Sequence, residues 1–338
     1  MKDIKIICDF RESFPNFSNT KEIFNDHPNR KSIDEICDIL NTCGYSCEVF
    51  GGVNQLIEAY INQLDLTQYL IINMSDGLTQ SYSRIQVPML CEMLNANYSG
   101  SSVFAVALMN NKYYSKLAVN ELNINTPKGI IINRRLNNNF SIYNLDLPDF
   151  PLIVKPNTEG SSIGISQLSV CHDIRQLEIA LNKTERFAEV IIEEYIPGYE
   201  ITDLIIGNPN DYRFNEVILT SVYDKVILTN EVLGIQEKSQ KLRKQYSAYK
   251  FLDKKICAKI KEISLEIFEH IGAQDIARID YRVTEKGEIY FLEINSVPRI
   301  SSTSECAIIC SEHNIPFKKV LMEYIDTINN RFINHEKK

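Results

Sequence analysis

The stretch that most constrains the fold is IARIDYRVTEKGEIYFLEIN, residues 276–295. Apolar and polar residues alternate on both sides of Lys286-Gly287, which reads as two β-strands joined by a tight turn. A two-residue turn sets the register, so that position 285 faces 288 and position 280 faces 293. Ile279, Tyr281 and Val283 then share one face with Tyr290, Leu292 and Ile294, and Arg278, Asp280, Glu293 and Asn295 share the other. In this register the Cβ atoms of Asp280 and Glu293 lie roughly 5 Å apart. Two carboxylates so placed repel each other. A divalent cation removes the repulsion, and Asn295 can add an oxygen ligand. Arg278, opposite Asn295, can face an anion held near the metal. From these residues alone, an amphipathic hairpin with a hydrated polar face is an equal alternative.

A second constraint is PLIVKPNTEGSSIGIS, residues 151–166. An apolar strand ends in Lys155, and a loop of Glu159, Gly160, Ser161, Ser162 and Gly164 follows. A lysine at the end of a buried strand is costly without an anionic partner. Backbone N–H groups of such a loop can cradle phosphate while the lysine supplies charge. The order differs from the GxxxxGK[ST] phosphate loop, because here the lysine precedes the glycines. A surface hairpin with a snorkelling lysine fits the same residues. In VIIEEYIPGYEIT, residues 190–202, an apolar strand ends in Glu193-Glu194, turns at Pro197-Gly198 and reaches Glu200. It can offer backbone groups and a carboxylate to a base and a ribose, or be an edge strand with solvated acids. Lys112 and Lys116 are four apart on one helical face, as a phosphate contact or as a solvated pair.

At 338 residues the chain is long enough for two or three domains. Its net charge of −8 disfavours nonspecific nucleic-acid binding, which needs a basic face. No apolar run is long enough to span a membrane, and MKDIKIICDF reads as a first strand and not a signal peptide. The nine cysteines lack paired zinc-site spacing and read as thiols in a reducing cytoplasm.

The first third alternates strand and helix: DIKIICDF, a helix over 32–43 with Ser32 and Glu35 as a capping box and Gly44 just past its end, the strand YLIINMS, and the helix QVPMLCEML. This is a small open α/β domain. NNKYYSKLAVNEL is helical, GIIIN is a strand, 133–140 is a polar loop, and PLIVKP and EVIIEEYI are strands about a helix near 172–183. From Glu200 strands dominate, then a helix over 253–271 carries Ile256, Ile260, Ile263, Ile267 and Ile271 and stops at Gly272. The polar segment 230–250 reads as a mobile loop.

Taken in order, these segments resemble the ATP-grasp superfamily, and within it the D-alanine–D-alanine ligase family. PLIVKPNTEGSSIGIS is similar to that family's phosphate loop and ARIDYRV…GEIYFLEINSVP to its metal-binding strands, with YSGSS…NNKYYSKL and IIEEYIPGYEIT agreeing as well. The resemblance covers roughly 98–205 and 272–320. It implies an α/β, in part α+β, three-domain ATP-grasp fold: an N-terminal α/β domain over 1–104, a central subdomain over 105–189 and a C-terminal subdomain over 190–330. ATP and Mg²⁺ are the implied cofactors. Lys112 and Lys155 would hold phosphates under a loop bearing Ser161 and Ser162. Glu193 and Ile196 would lie at the adenine edge, Glu200 at the ribose, and Asp280, Glu293 and Asn295 at magnesium. Arg278 would steady an acyl phosphate, with Lys155 and Ser161 as its catalytic company.

The substrate half departs from the family. No Gly-Gly-x-Ser-x-Glu motif follows the first strand, which runs into CDFRESFPNF, and MSDGLTQSYSRI has no histidine. The mobile loop's Lys-Tyr pair is not recognisable in 222–250. Arg299 of NSVPR stands where the family keeps a glycine, while Ser304 matches its carboxylate-binding serine. The implied function is a carboxylate–amine ligase acting on small molecules, an amino acid or small carboxylate plus an amine, with no membrane or nucleic-acid partner. The lead expectation is a diverged amino-acid ligase. A true D-alanine–D-alanine ligase and a nucleotide-binding protein without ligase activity are the alternatives, and a homodimer is one option for its assembly.

Overall fold

Strand β1 (Asp3–Ile7) buries Ile4, Ile6 and Ile7 because it lies inside a parallel sheet covered on both faces. The computed structural model describes residues 3–14, 27–78, 81–136, 141–234, 236–237, 240 and 242–336. β2 (Ser46–Gly51), β3 (Leu70–Asn73) and β4 (Asn97–Tyr98) complete the sheet in the order β2-β1-β3-β4. Helix α1 (Arg30–Thr42) covers one face with Ile33, Ile36 and Leu40. Helices α2 (Val53–Ile61) and α3 (Gln86–Met93) cover the other with Val53, Leu56, Val87 and Cys91. α1 starts earlier than the expected capping box at Ser32 and Glu35. Asn29 caps it, its side chain accepting the Ser32 N–H at 2.9 Å. Gly44, just past the end, takes φ +88° as expected. The sequence reading had no element at α2.

The second sheet is antiparallel, in the order β5-β8-β6-β7: β5 (Gly129–Asn133), β6 (Leu152–Pro156), β7 (Val170–Cys171) and β8 (Glu189–Glu194). Strand alternation sends Leu152, Val154, Val190 and Ile192 to one face, where α6 (Ile174–Lys183) packs Leu177, Ala180 and Leu181 on them. Lys155 and Glu193 fall on the opposite face. Residues 137–140 of the expected polar loop lie outside the described residues.

The third sheet joins β9 (Gly198–Asn208), β10 (Asp211–Val222), β12 (Arg243–Ser247), β13 (Ile276–Val283) and β14 (Ile289–Asn295) in the order β12-β10-β9-β13-β14, with β11 (Ile227–Leu228) also paired to β9. Helix α7 (Lys254–Ile271) lays Ile260, Ile263, Ile267 and Phe268 on it and ends at Gly272. Helices α4 (Val103–Met109) and α5 (Lys112–Asn120) add Ala105, Met109 and Val119 to the same core. Part of the segment expected as a mobile loop, 230–250, is strand β12, whose Tyr246 pairs with Leu219. An edge strand needs only one neighbour, so polar residues form it without an apolar run. Residues 235, 238, 239 and 241 lie outside the described residues.

In the β13–β14 hairpin Asp280 does face Glu293, and Arg278 faces Asn295. The turn, however, is longer than two residues. The Thr284 N–H bonds the Glu288 carbonyl at 2.9 Å, leaving 285–287 as the loop, with Gly287 at φ +84°. A bulge at Leu292 absorbs the extra residue: Tyr281 pairs with Phe291, not 292. Phe291 is therefore in the core with Tyr281 and Ile294, and Leu292 points into the adjacent cleft, which corrects the expected face.

Two C-terminal helices close the molecule: α8 (Cys306–His313) and α9 (Phe317–Glu336). α9 buries Val320, Leu321, Tyr324, Ile325 and Ile328 in a core shared by α1, the first sheet and the third sheet. Arg331 on α9 pairs with Asp275 at 2.7 Å and donates to the carbonyl of Tyr98 at 2.6 Å. Among the described residues, no helix is long and apolar enough to cross a membrane, and all nine cysteines are free thiols.

Candidate active site

The face of the second sheet that turns away from α6 looks across a cleft at the third sheet. Lys155, at the end of β6, is 6% exposed, and its Nζ lies 2.7 Å from Glu193 Oε1 on the neighbouring β8. Lys116 of α5 approaches the other oxygen of the same carboxylate at 3.0 Å. Glu193 is itself 1% exposed. It fits only because β5 puts Gly129 opposite it: a Cβ at Gly129 would stand 2.6 Å from the Cβ of Glu193.

The three charges tune one another. Burial pulls the Lys116 pKa down to about 8, Lys155 adding to the fall and Glu193 opposing it. Burial would lower Lys155 too, but Glu193 and Glu293 reverse that and hold it raised. Burial would raise the Glu193 carboxyl, and the two lysines hold it below its ordinary value.

Lys112, the first residue of α5, reaches Glu293 at 3.1 Å and donates to the carbonyl of Glu159 in the loop after β6. That loop has a strained backbone: Ser161, Ser162 and Gly164 take φ of +45°, +64° and +77°. Consecutive left-handed residues turn N–H groups toward one side, the geometry of an anion cradle. Ser162 Oγ donates to the carbonyl of Leu233 at 2.5 Å, tying the loop to the segment beyond β11.

Across the cleft, Arg278 grips Asp280 with two hydrogen bonds of 3.0 and 2.8 Å, and Thr202 of β9 donates to the same carboxylate at 2.9 Å. Burial raises the Asp280 pKa and Glu293 raises it further, against the pull of Arg278. Burial opposes ionisation of Glu293, but Lys112, Lys155 and Arg278 more than offset it and hold its carboxyl far below the usual range. Glu200 pairs with Arg282 at 2.6 Å, and Arg282 lies over the Tyr195 ring.

A divalent cation fits this arrangement. Asp280 and Glu293 are oxygen donors at facing register positions, and their mutual repulsion is one cause of the raised Asp280 pKa. Among the described residues no three His, Cys, Asp or Glu side chains gather to hold a metal alone. Mg²⁺ needs no such cage, since it keeps waters and phosphate oxygens beside one or two carboxylates.

Of the residues expected from sequence, the structure brings Lys155, Ser161, Ser162, Glu193, Ile196, Glu200, Arg278, Asp280 and Glu293 to the wall of one cleft. Lys112 joins them through Glu293. Asn295 lines an adjoining cavity with Arg299 and Ser304, and its Oδ1 accepts the Val297 N–H at 3.0 Å. Ser304 Oγ donates to the carbonyl of Ser301 at 3.0 Å within its own turn.

The sequence reading passed over Arg282, Thr202, Arg243 and Glu305, which share the cleft. Arg282 was legible, since it stands two residues beyond Asp280 on the same strand face. Arg243 was not, because β12 carries no strand signal.

The fold and site have known relatives. A family model described as D-ala D-ala ligase C-terminus matches residues 117–326. The D-alanine–D-alanine ligase of Aquifex aeolicus (strain VF5) is 32% identical over 234 residues, 69% of this chain and 74% of the relative. That of Azobacteroides pseudotrichonymphae is 28% identical over 264 residues, 77% of this chain and 76% of the relative. The crystal structure of D-alanine–D-alanine ligase from Bacillus anthracis complexed with ATP superposes with a TM-score of 0.73 at 20% identity, covering 100% of both chains.

Proposed function

The chain belongs to the D-alanine–D-alanine ligase family, and from that premise we propose that its cleft activates a carboxylate with ATP and joins it to an amine through an acyl phosphate. The protein is an ATP-dependent, ADP-forming ligase. In the proposed division, the second and third sheets grip ATP between a central subdomain (105–189) and a C-terminal one (190–330), beside an N-terminal domain (1–104).

Supporting this reading is one observation above the others. Lys112 and Lys155 converge with Arg278, Asp280 and Glu293 at one cleft, with Lys116 buried behind Glu193, though they come from two sheets and a helix. In the proposed complex Lys112 and Lys155 hold phosphate oxygens under the Ser161–Ser162 backbone. Ile196 and Glu193 lie by the adenine, and Glu200 by the ribose. Asp280, Glu293 and Asn295 would hold Mg²⁺, which when bound offsets phosphate charge.

A substrate carboxylate oxygen attacks the γ-phosphorus and the bond to the β-phosphate oxygen breaks, releasing ADP. The amine nitrogen of the second substrate then attacks the acyl carbon, the C–O bond to phosphate breaks, and the nitrogen loses a proton. Arg278 faces the negative charge that grows on the carbonyl oxygen in that step. Positioning and charge neutralisation supply most of the acceleration in such transfers.

ADP release that depends on both Mg²⁺ and an added amino acid or carboxylate is the expected result. ATP binding with no ADP release over a full panel of D- and L-amino acids, singly and in pairs, would leave only nucleotide binding. Efficient use of D-alanine as both substrates would make the protein a true D-alanine–D-alanine ligase.

A further inference from the structure

Beside the nucleotide cleft lies a second cavity of about 310 Å³, within the size range of small-molecule sites. Among the described residues its wall carries five arginines, Arg11, Arg84, Arg243, Arg278 and Arg299, and two carboxylates, Asp76 and Glu305. The two spaces share Arg243, Arg278, Ser161 and Glu305, so they meet at the reacting end. Arg11, Arg84 and Arg299 line the second cavity and not the nucleotide cleft.

These arginines come from distant parts of the chain: after β1, before α3, on β12, on β13 and after β14. Several are held at a fixed angle. Arg11 donates through Nε and Nη2 to the carbonyl of His27 at 3.0 and 2.7 Å. Arg84 Nε meets Asp76 at 2.8 Å, with Arg84 only 9% exposed. The guanidiniums also crowd one another. Burial lowers the Arg243 pKa, Glu305 opposes the fall, and Arg278 and Arg299 both deepen it. Like charges gathered in a cavity cost Coulomb energy that a bound anion recovers. The guanidinium fork matches a carboxylate in shape as well as charge.

We propose that this cavity selects a substrate with a second carboxylate, remote from the reacting group and held by Arg299 and Arg11 beside Arg84; the class is acidic amino acids and small dicarboxylic acids. Which end of the substrate reacts rests on the ligase reading, whereas the preference for a second carboxylate does not.

Two readouts on the full chain keep these apart. One is ADP release with Mg–ATP, and the other is thermal protection without nucleotide. The probes are D- and L-glutamate, D- and L-aspartate and glutarate, with glutamine, asparagine and alanine as neutral counterparts and phosphoserine as a different dianion. In the wild type an acidic probe should exceed its amide counterpart in kcat/KM by about tenfold or more. It should also protect more in the melt. Arg299→Gln and Arg11→Gln should each lower that acidic-to-neutral ratio about tenfold, by circular dichroism with the fold intact. Acidic protection that Arg299→Gln abolishes, with no ADP release from any probe, would uphold the cavity's selectivity and refute the ligase reading. The proposal is overturned if the wild-type ratio is near one, if neither variant changes it, if phosphoserine exceeds every carboxylate, or if no probe binds.

Discussion

Glu293 is asked to do two things: it ion-pairs with Lys112, and it faces Asp280 across the hairpin. Glu293→Gln keeps the shape of the side chain and removes its charge. The expected outcome is a folded protein whose ADP release falls at least about a hundredfold, with a raised Mg²⁺ requirement. A near-wild-type rate at limiting Mg²⁺ would detach Glu293 from the metal. Asp203 makes a different prediction. It is fully buried on β9, and neither carboxylate oxygen has a hydrogen-bond partner among the described residues. Burial pushes its pKa up to about 7, Ser264 and Lys261 opposing and Glu216 adding. An acid whose folded pKa lies above its unfolded one costs stability once the unfolded chain ionises. Stability from this group should therefore fall as pH rises from about 4 to about 7 and stay low above that. Asp203→Asn removes the fall and should gain about 1–3 kcal/mol at pH 8. Urea melts across the pH range test this, and parallel curves for the two proteins would refute it.

At the scale of the element, the β13–β14 hairpin shows how much was legible. Alternation alone placed Asp280 opposite Glu293, and the structure agrees. Yet the turn is one residue longer than expected, and the bulge at Leu292 cancels the difference just before the carboxylates. This bulge leaves little mark on sequence, because Tyr290, Phe291 and Leu292 run apolar or aromatic in a row and either register offers an apolar residue to the core. Deleting Leu292 should restore even alternation, keeping Phe291 in the core and Glu293 in the cleft. The expected variant stays within about 2 kcal/mol of wild-type stability and loses affinity for Mg–ATP, since Leu292 lines the cleft proposed to hold it. Circular dichroism and a nucleotide titration check both halves; global unfolding would show that the bulge is needed for the hairpin itself. For residues with strong local signals, a lysine ending an apolar strand or acids alternating on a hairpin, the position they take in the fold was readable. Arg11, Arg84 and Arg243 were not, since what joins them is the packing of three sheets and not any spacing along the chain. The same limit explains Lys116, whose burial against Glu193 of β8 depends on α5 docking onto β14.

For the whole molecule, the cleft is built from both the second and the third sheet, so nucleotide bound to the native state should stabilise the pair together. At a hundred times Kd, Mg–ATP should add about 2.7 kcal/mol. Lys155→Ala should shrink the resulting rise in Tm, and an unchanged rise would remove Lys155 from the phosphate contacts. Helix α9 imposes a constraint of another kind. The first sheet is synthesised before the other two, yet one of its faces is completed by Val320, Leu321, Tyr324 and Ile325, about 250 residues after β3. At typical translation rates that gap lasts roughly tens of seconds. Through that interval the apolar groups of Ile4, Ile6, Leu70 and Ile72 have α1 but not their distal partners. A chain ending at 316 should therefore be caught in that nascent state permanently, and partition into the insoluble fraction when expressed. The last turns of α9, where Arg331 reaches Asp275 and the Tyr98 carbonyl, fasten the first sheet to the third only once α9 itself has been made.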